Sequence, residues 1–168
     1  MKTIVSHAVV RIMKKVSLAF VAFAMLAGIS FADVLQDVNR LFELHAKLKP
    51  GTTMEMLNEM LGPPAENHTL GGNASAVTRY AWLHGEMGIE AYEVEGVAYR
   101  VAITLPCGSN LNQLRAMDAL TRQGRSKYGS LPLADPRRNE FYWERNGIRF
   151  AFSKHSQTAI MSSTTRVR

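Results

Sequence analysis

Cysteine is almost absent from this 168-residue sequence, which contains only Cys107. A single cysteine cannot form an intramolecular disulfide bond, so the fold must depend on an apolar core. A thiol nucleophile also needs a base close by, and the segment Pro106-Cys107-Gly108 offers no such local motif. We therefore interpret Cys107 as a small buried residue or a free thiol.

Motifs of catalysis and metal binding are also missing. The sequence has no CxxC or HExxH motif, no GxSxG nucleophile elbow, and no Walker or GxGxxG loop. His45, His68, His84 and His155 are scattered and do not form pairs at the helical spacing of metal ligands. We therefore predict that the chain is not an enzyme, and expect no catalytic, cofactor or metal site.

The longest apolar run is too short to cross a bilayer. Val16–Ile29 has 14 residues, whereas a membrane-spanning helix needs about 20. The basic segment Met13-Lys14-Lys15 precedes this run, and Ser30-Phe31-Ala32 follows it with small residues at the positions that a signal peptidase requires. Residues 1–32 are thus predicted to be a signal peptide, with either Met1 or Met13 as the start. We expect a soluble periplasmic or secreted protein without stable membrane insertion.

Charge is unevenly distributed along the predicted mature chain. Residues 33–105 carry a net charge of −5, and residues 106–168 carry +7. The basic half contains no recognisable nucleic-acid module, and an exported protein would rarely meet nucleic acid, so we expect no nucleic-acid partner. The basic half is either an ordinary polar surface or a face for an acidic partner.

Three segments have the periodicity or the boundary signals of helices. Residues Asp33–Leu48 place apolar side chains and His45 on one stripe, with His45 interpreted as a histidine at the edge of the core. In the second segment, Thr52 and Glu55 form a capping box before a helix that ends at Gly62-Pro63-Pro64. The third helix begins at Ser109 or Asn110 and continues past Gly124 to Tyr128. The predicted buried faces of the second and third helices are Met54, Leu57, Met60 and Leu61, and Leu111, Leu114, Met117, Leu120 and Thr121.

Alternation of apolar and polar residues predicts six strands. These are Val77–His84, Ile89–Val94, Val97–Leu105, Asn139–Arg145, a strand from Ile148, and Gln157–Thr165. Glu95-Gly96 and Asn146-Gly147 are typical of two-residue hairpin loops. A bulge in the strand Ile89–Val94 would bring its two halves into phase. Ala65–Ala76 and Leu131–Arg138 are interpreted as loops.

These elements predict an α+β fold in which helices pack on one face of an antiparallel β-meander sheet. Residues 33–168 suit one domain. Two similar segments, Tyr80–Tyr92 and Phe141–Phe150, each contain an aromatic-x-Trp strand, a turn and a Gly-Ile pair. The sequence leaves open whether the domain contains two tandem helix-plus-meander units, with residues 33–105 and 106–168 as subunits.

The first half carries a pattern that is found in known proteins. Leu48-Lys49-Pro50-Gly51-Thr52-Thr53, then Leu61-Gly62-Pro63-Pro64 and the strand and hairpin that follow, resemble the small outer-membrane assembly lipoproteins and the related β-lactamase inhibitor protein superfamily. The resemblance covers Leu48–Leu105. It implies helices on one face of an antiparallel sheet whose other face binds another protein, and it does not imply catalysis. The chain lacks the cysteine that follows the signal in the lipoproteins.

Strand phase suggests which residues occupy the face opposite the helices. If Trp82, Tyr99, Trp143 and Phe150 point towards the helices, the other face receives Arg79, Arg100, Tyr142 and Arg149, with small residues between them (Ala81, Ala98, Ala102 and Ala151). Arginine and tyrosine above small residues suit a protein interface. The predicted function is therefore a protein-binding or inhibitory module of the cell envelope, whose partner is another envelope protein.

A different use of the same sheet also fits the pattern. A small molecule or a cell-wall fragment could bind on the sheet, with Trp82 or Trp143 and Tyr142 as a stacking platform. A third interpretation, an enzyme that uses Cys107, has no local motif in its favour.

Overall fold

A computed structural model describes residues 33–70 and 76–165 of the chain. The predicted signal peptide, residues 1–32, lies outside the described residues. Three helices and one sheet of eight antiparallel strands make up the described part, so the predicted α+β class is confirmed. None of the helices in this part combines the length and the apolar character needed to span a membrane.

The sheet consists of two four-stranded meanders that meet at its centre. Helix α1 spans 33–47, α2 spans Met54–Leu61 and α3 spans Asn110–Tyr128. The strands are β1 Glu66–Leu70, β2 Val77–His84, β3 Met87–Val94, β4 Val97–Pro106, β5 Leu133–Asp135, β6 Glu140–Arg145, β7 Ile148–His155 and β8 Thr158–Thr165. Their order in the sheet is β1-β2-β3-β4-β8-β7-β6-β5, so β4 and β8 form the seam between the meanders.

Helix α1 buries the stripe that its periodicity predicts. Val38, Leu41, His45 and Leu48 are almost completely buried, and Val34 is buried at the start of the helix. His45 is about 1% exposed, so it lies inside the core and not at its edge as predicted. Its ring packs edge-on against that of Phe150 on the sheet.

The N-cap of helix α2 lies one residue later than the sequence predicts. Thr53 is the N-cap and accepts a hydrogen bond from the backbone N–H of Met56. The hydroxyl of Thr52 instead donates to the carbonyl of Lys49 at 2.8 Å, inside the preceding turn. The helix ends at Gly62, as predicted, with φ of +79°. Leu57 is buried, but the prediction for Met60 was wrong, since this side chain is exposed.

Helix α3 has the predicted bounds but a different buried face. It runs through Gly124 to Tyr128 and stops at Gly129 in the left-handed conformation. Its buried residues are Gln113, Ala116, Ala119, Leu120 and Gly124. Leu111 and Leu114 are exposed, so their assignment to the core was wrong. At Gly124 the Trp143 ring lies so close to the helix that a Cβ atom would clash with it.

The hairpin loops follow the sequence closely. Glu95 and Gly96 have φ of +54° and +82°, and Asn146 and Gly147 have φ of +53° and +74°. Positive φ at both positions is the type I′ pattern that the twist of paired strands favours. Both predicted two-residue loops are therefore confirmed.

The two edge strands were interpreted from the sequence as loops. β1, Glu66–Leu70, pairs with β2, and β5, Leu133–Asp135, pairs with β6. All five residues of β1 are exposed. A strand that buries neither face has no alternation in its sequence, which is why this strand was missed.

The irregularity in the β3–β4 hairpin lies on β4 and not on β3. The register changes from Tyr92↔Arg100 to Glu93↔Ala98, which leaves Tyr99 as an extra residue in β4. Two consecutive residues, Tyr99 and Arg100, thus lie opposite one residue of β3, as in a β-bulge. The bulge reverses the predicted phase of the first residues of β4. Ala98 is completely buried in the core, and Tyr99 lines a cavity on the other face together with Arg100.

Candidate functional site

Three of the four predicted site residues lie in one row across the sheet. The register pairs Arg79 with Tyr92, Tyr92 with Arg100, Arg100 with Thr164, and Thr164 with Arg149. Residues paired in this way project from the same face. Tyr142, the fourth residue, is paired with Ala151, two residues along β7 from Arg149, and therefore shares that face. We call this surface the open face.

The described helices pack on the opposite face. Val38, Leu41, Leu57 and Leu120 of the helices join one hydrophobic core, together with sheet residues whose phase is opposite to that of Arg79 and Arg149 (Ile89, Val101, Ile103 and Phe152). Trp82 and Trp143 belong to this core and are about 5% exposed. They cannot serve as a stacking platform for a ligand, so that part of the small-molecule interpretation was wrong.

Four residues on β2, β3 and β4 form the first arginine–tyrosine cluster. Glu90 accepts hydrogen bonds from the Arg79 guanidinium, with a distance of 3.1 Å to Nε, and from the Tyr92 hydroxyl at 3.0 Å. The Arg100 guanidinium lies 5.2 Å from the centre of the Tyr92 ring, within the range of a cation–π contact. Burial, and next the Glu90 carboxylate, raises the pKa of Tyr92, so its hydroxyl remains a donor. The hydrogen bond to Glu90 thus holds the Tyr92 ring in the position where it contacts Arg100.

Arg149 is the centre of a second cluster on β5, β6 and β7. Its guanidinium lies 3.6 Å from the centre of the Tyr142 ring and donates to Glu140 from Nε at 3.0 Å and to Asp135 from Nη2 at 2.8 Å. Desolvation lowers the pKa of Arg149, but the two carboxylates outweigh it and the net shift is upward. The Arg149 side chain is only 23% exposed. This arginine therefore has its charge balanced within the protein.

A trough lies between the two clusters. Arg100 leans towards Tyr92 on β3, and Arg149 leans towards Tyr142 on β6, so both turn away from the central strand β8. The trough holds a cavity of about 550 Å³ that includes Arg100, Arg138, Arg149 and Glu140 in its lining. Its floor is made of small side chains, namely Ala151, Ser153, Ser162 and Thr164.

The trough can form hydrogen bonds and ion pairs through its arginines, its glutamate and the hydroxyl groups of its floor. Its charged members are three arginines and one glutamate, and the glutamate is bound to Arg149. Cys107 lies in the core, where burial raises the pKa of its thiol and its Sγ approaches the carbonyl oxygen of Leu105 at 3.5 Å. Within residues 33–70 and 76–165, no three histidine, cysteine, aspartate or glutamate side chains are placed to hold a metal ion.

Sequence reasoning missed two parts of this surface. Tyr99 was assigned to the core because β4 alternates without interruption, and nothing in that pattern reveals the bulge that turns it outward. The acidic residues Asp135, Glu140 and Glu90 were not assigned as partners of the arginines. For Glu90, strand phase offered a signal, because it shares the phase of Tyr92, two residues away.

Comparisons with models of protein families, with curated proteins and with solved structures found no match to this chain.

Proposed function

We propose that this protein is an exported protein-binding or inhibitory module of the cell envelope, periplasmic or secreted, and that its open face binds another protein. The observation that carries the proposal is the row Arg79, Tyr92, Arg100, Thr164 and Arg149 on a face that no described helix covers. The resemblance of Leu48–Leu105 to outer-membrane assembly lipoproteins and β-lactamase inhibitor proteins favours the same use of this face.

The composition of the open face supports this proposal. Arginine and tyrosine are enriched among the residues that dominate binding energy at protein interfaces. Here the rings of Tyr92 and Tyr142 each contact an arginine guanidinium, and the Tyr92 hydroxyl is bound to Glu90. Side chains that are already ordered lose little conformational entropy when a partner binds. The small residues of the floor leave room for side chains of the partner.

We further propose that the two meanders are tandem units. Each consists of four consecutive antiparallel strands, and each follows a helix. Trp82 and Trp143 occupy the second strand of their meanders, and each indole N–H donates to a carbonyl just after the preceding helix. The acceptors are Gly62, at 3.0 Å, and Ser130, at 2.9 Å. The same contact at the same place in both halves favours a repeat over two unrelated meanders.

Binding of a small molecule or a cell-wall fragment on the open face is the second candidate. The cavity of about 550 Å³ is in the size range of ligand sites. The tryptophans that were predicted to stack with such a ligand, Trp82 and Trp143, are buried, however, and the Tyr142 ring is covered by Arg149. Such sites are usually apolar pockets, whereas this cavity is lined mainly by charged and hydroxyl groups. The protein partner is therefore the better proposal.

Site-specific photo-crosslinking in intact cells tests the function. A photoreactive residue at Thr164, on the floor of the trough, should give a discrete adduct with another envelope protein. The same residue at Ser126, exposed on α3, is the control and should not give this adduct. The second variant Ser162→Trp, which fills the trough, should reduce the adduct, whereas Ser126→Trp should not. Adducts of equal yield from both positions, or none from Thr164, would contradict the proposal.

A further inference from the structure

The open face contains one arginine whose charge is not balanced by a carboxylate. Arg79 is bound to Glu90, and Arg149 is bound to Glu140 and Asp135. Arg100 is exposed, and among the described residues its guanidinium contacts the Tyr92 ring and has no carboxylate within 4.0 Å. A cation that is held by an aromatic ring keeps all of its hydrogen-bond donors for a ligand.

We propose that the trough receives an acidic side chain from a segment of the partner protein, and that Arg100 binds its carboxylate. This inference rests on the proposed function and deepens it, since it assigns the chemistry that the partner presents. Arg100 is placed for this role by a chain of contacts, in which Arg79 and Glu90 hold Tyr92 and Tyr92 supports Arg100.

Charge complementarity favours a carboxylate at this place. Arg100, Arg138 and Arg149 line the cavity, and two carboxylates, those of Glu140 and Asp135, lie against Arg138 and Arg149, so an excess of one positive charge remains. Hydroxyl groups of Ser162 and Thr164 on the floor add neutral donors. The carboxylate of Glu140 disfavours a doubly charged anion such as phosphate more than it disfavours a single carboxylate.

The form of the trough favours a protein segment over a free acid. Arg100 on β4 and Arg149 on β7 are separated by the single strand β8, so their backbones are about 10 Å apart. This width accepts a peptide chain whose side chains reach the floor. Arg100 itself is exposed, and a small acid would remain largely in water there, whereas ligand sites bury most of a small ligand. A side chain carried by a docked protein gains its affinity from the rest of the interface.

NMR titration of the purified protein tests this assignment. The probes are the N-acetylated tripeptide amide Gly-Glu-Gly, its Gly-Gln-Gly counterpart and inorganic phosphate, all at equal ionic strength. The glutamate peptide should cause saturable shifts of the backbone amides of Ser162 and Thr164, and the glutamine peptide should not. Arg100→Gln should weaken glutamate-peptide binding about tenfold, the loss expected for one charge-assisted hydrogen bond. Arg125→Gln, an equal charge change on α3, should leave the affinity unchanged.

Three results would overturn the inference. These are equal responses to the glutamate and glutamine peptides, tighter binding of phosphate than of the glutamate peptide at Ser162 and Thr164, and unchanged binding by a folded Arg100→Gln variant. Crosslinking separates this failure from failure of the proposed function. If Arg100→Gln does not change the yield of the Thr164 adduct, the acidic contact is refuted but the protein interface is not. If Thr164 and Ser126 give equal adducts, both proposals are refuted.

Discussion

Replacement of Gly124 by alanine gives a sharp test of the packing between α3 and the second meander. In an exposed helix interior this change stabilises by about 1 kcal/mol, because alanine is the better helix former. A Cβ atom at Gly124, however, would lie 2.1 Å from Cη2 of Trp143 and within 2.7 Å of two more atoms of the same ring. Carbon atoms pack best at about 3.5–4.0 Å, so the ring and the helix cannot both keep their positions.

Trp143 has little freedom to move away. Its indole N–H is bound to the Ser130 carbonyl at 2.9 Å, and its ring centre lies 5.1 Å from that of Tyr128 and 5.3 Å from that of Phe152. Overpacking of such a site costs typically 1–3 kcal/mol or more. Because the Cβ atom would approach the ring to 2.1 Å, we take the upper end of this range. After subtraction of the helix propensity, we expect Gly124→Ala to lower the free energy of unfolding by about 2 kcal/mol. The Tm should fall by roughly 7 °C for a domain of this size.

Urea denaturation followed by far-UV circular dichroism measures the effect. Ser126→Ala, two residues along the same helix and exposed, is the matched control and should be neutral or slightly stabilising. In a Trp143→Leu background, Gly124→Ala should become stabilising, because the clash is gone. A Gly124→Ala variant as stable as the parent protein, or more stable, would refute the close approach of α3 to Trp143.

Two further predictions concern buried titratable groups. Burial, followed by the nearby charge of Lys127, lowers the pKa of His45 from 6.5 to about 4, against a smaller opposing effect of the Ser162 backbone. The unfolded chain therefore binds the proton more tightly, and the free energy of unfolding should fall by roughly 3 kcal/mol as the pH drops from 6.5 to 4, with no further loss from this group below pH 4. His45→Leu should flatten this part of the pH profile in chemical denaturation, and an unchanged slope would show that another group is responsible. Cys107 should react slowly with iodoacetamide at pH 8 in the native protein and rapidly in urea, because burial raises the pKa of its thiol; equal rates would mean that the thiol is accessible.

Much of the strand pattern could be predicted from the sequence because turn chemistry is local. Glu95-Gly96 and Asn146-Gly147 adopt the positive φ of two-residue hairpin loops, and these loops mark the ends of the strands that flank them. The stripe of α1 was equally clear, since its apolar residues recur at helical spacing. The common face of Arg79, Arg100 and Arg149 follows from the same strand phase, while its use in binding stays a prediction.

The errors arose where tertiary contacts override a regular pattern. An extra residue in β4 turns Tyr99 outward and Ala98 inward, and tyrosine is compatible with either environment. In α3 the leucines at 111 and 114 fit an apolar stripe, but the helix turns a different face to the core, and at Gly124 the Trp143 ring of β6 leaves no room for a side chain. The pairing of Arg149 with Asp135 depends on β5, an edge strand with no signal of its own.

The seam between β4 and β8 has a mechanical consequence. Seven residue pairs, from Arg100↔Thr164 to Pro106↔Thr158, are the junction through which the two meanders share one sheet. Arg100 belongs to the first meander, whereas Ser162, Thr164 and Arg149 belong to the second. A partner bound at the β4–β8 junction would contact both meanders at once. Its binding should therefore slow amide hydrogen exchange more in β4 and β8 than in the edge strands β1 and β5.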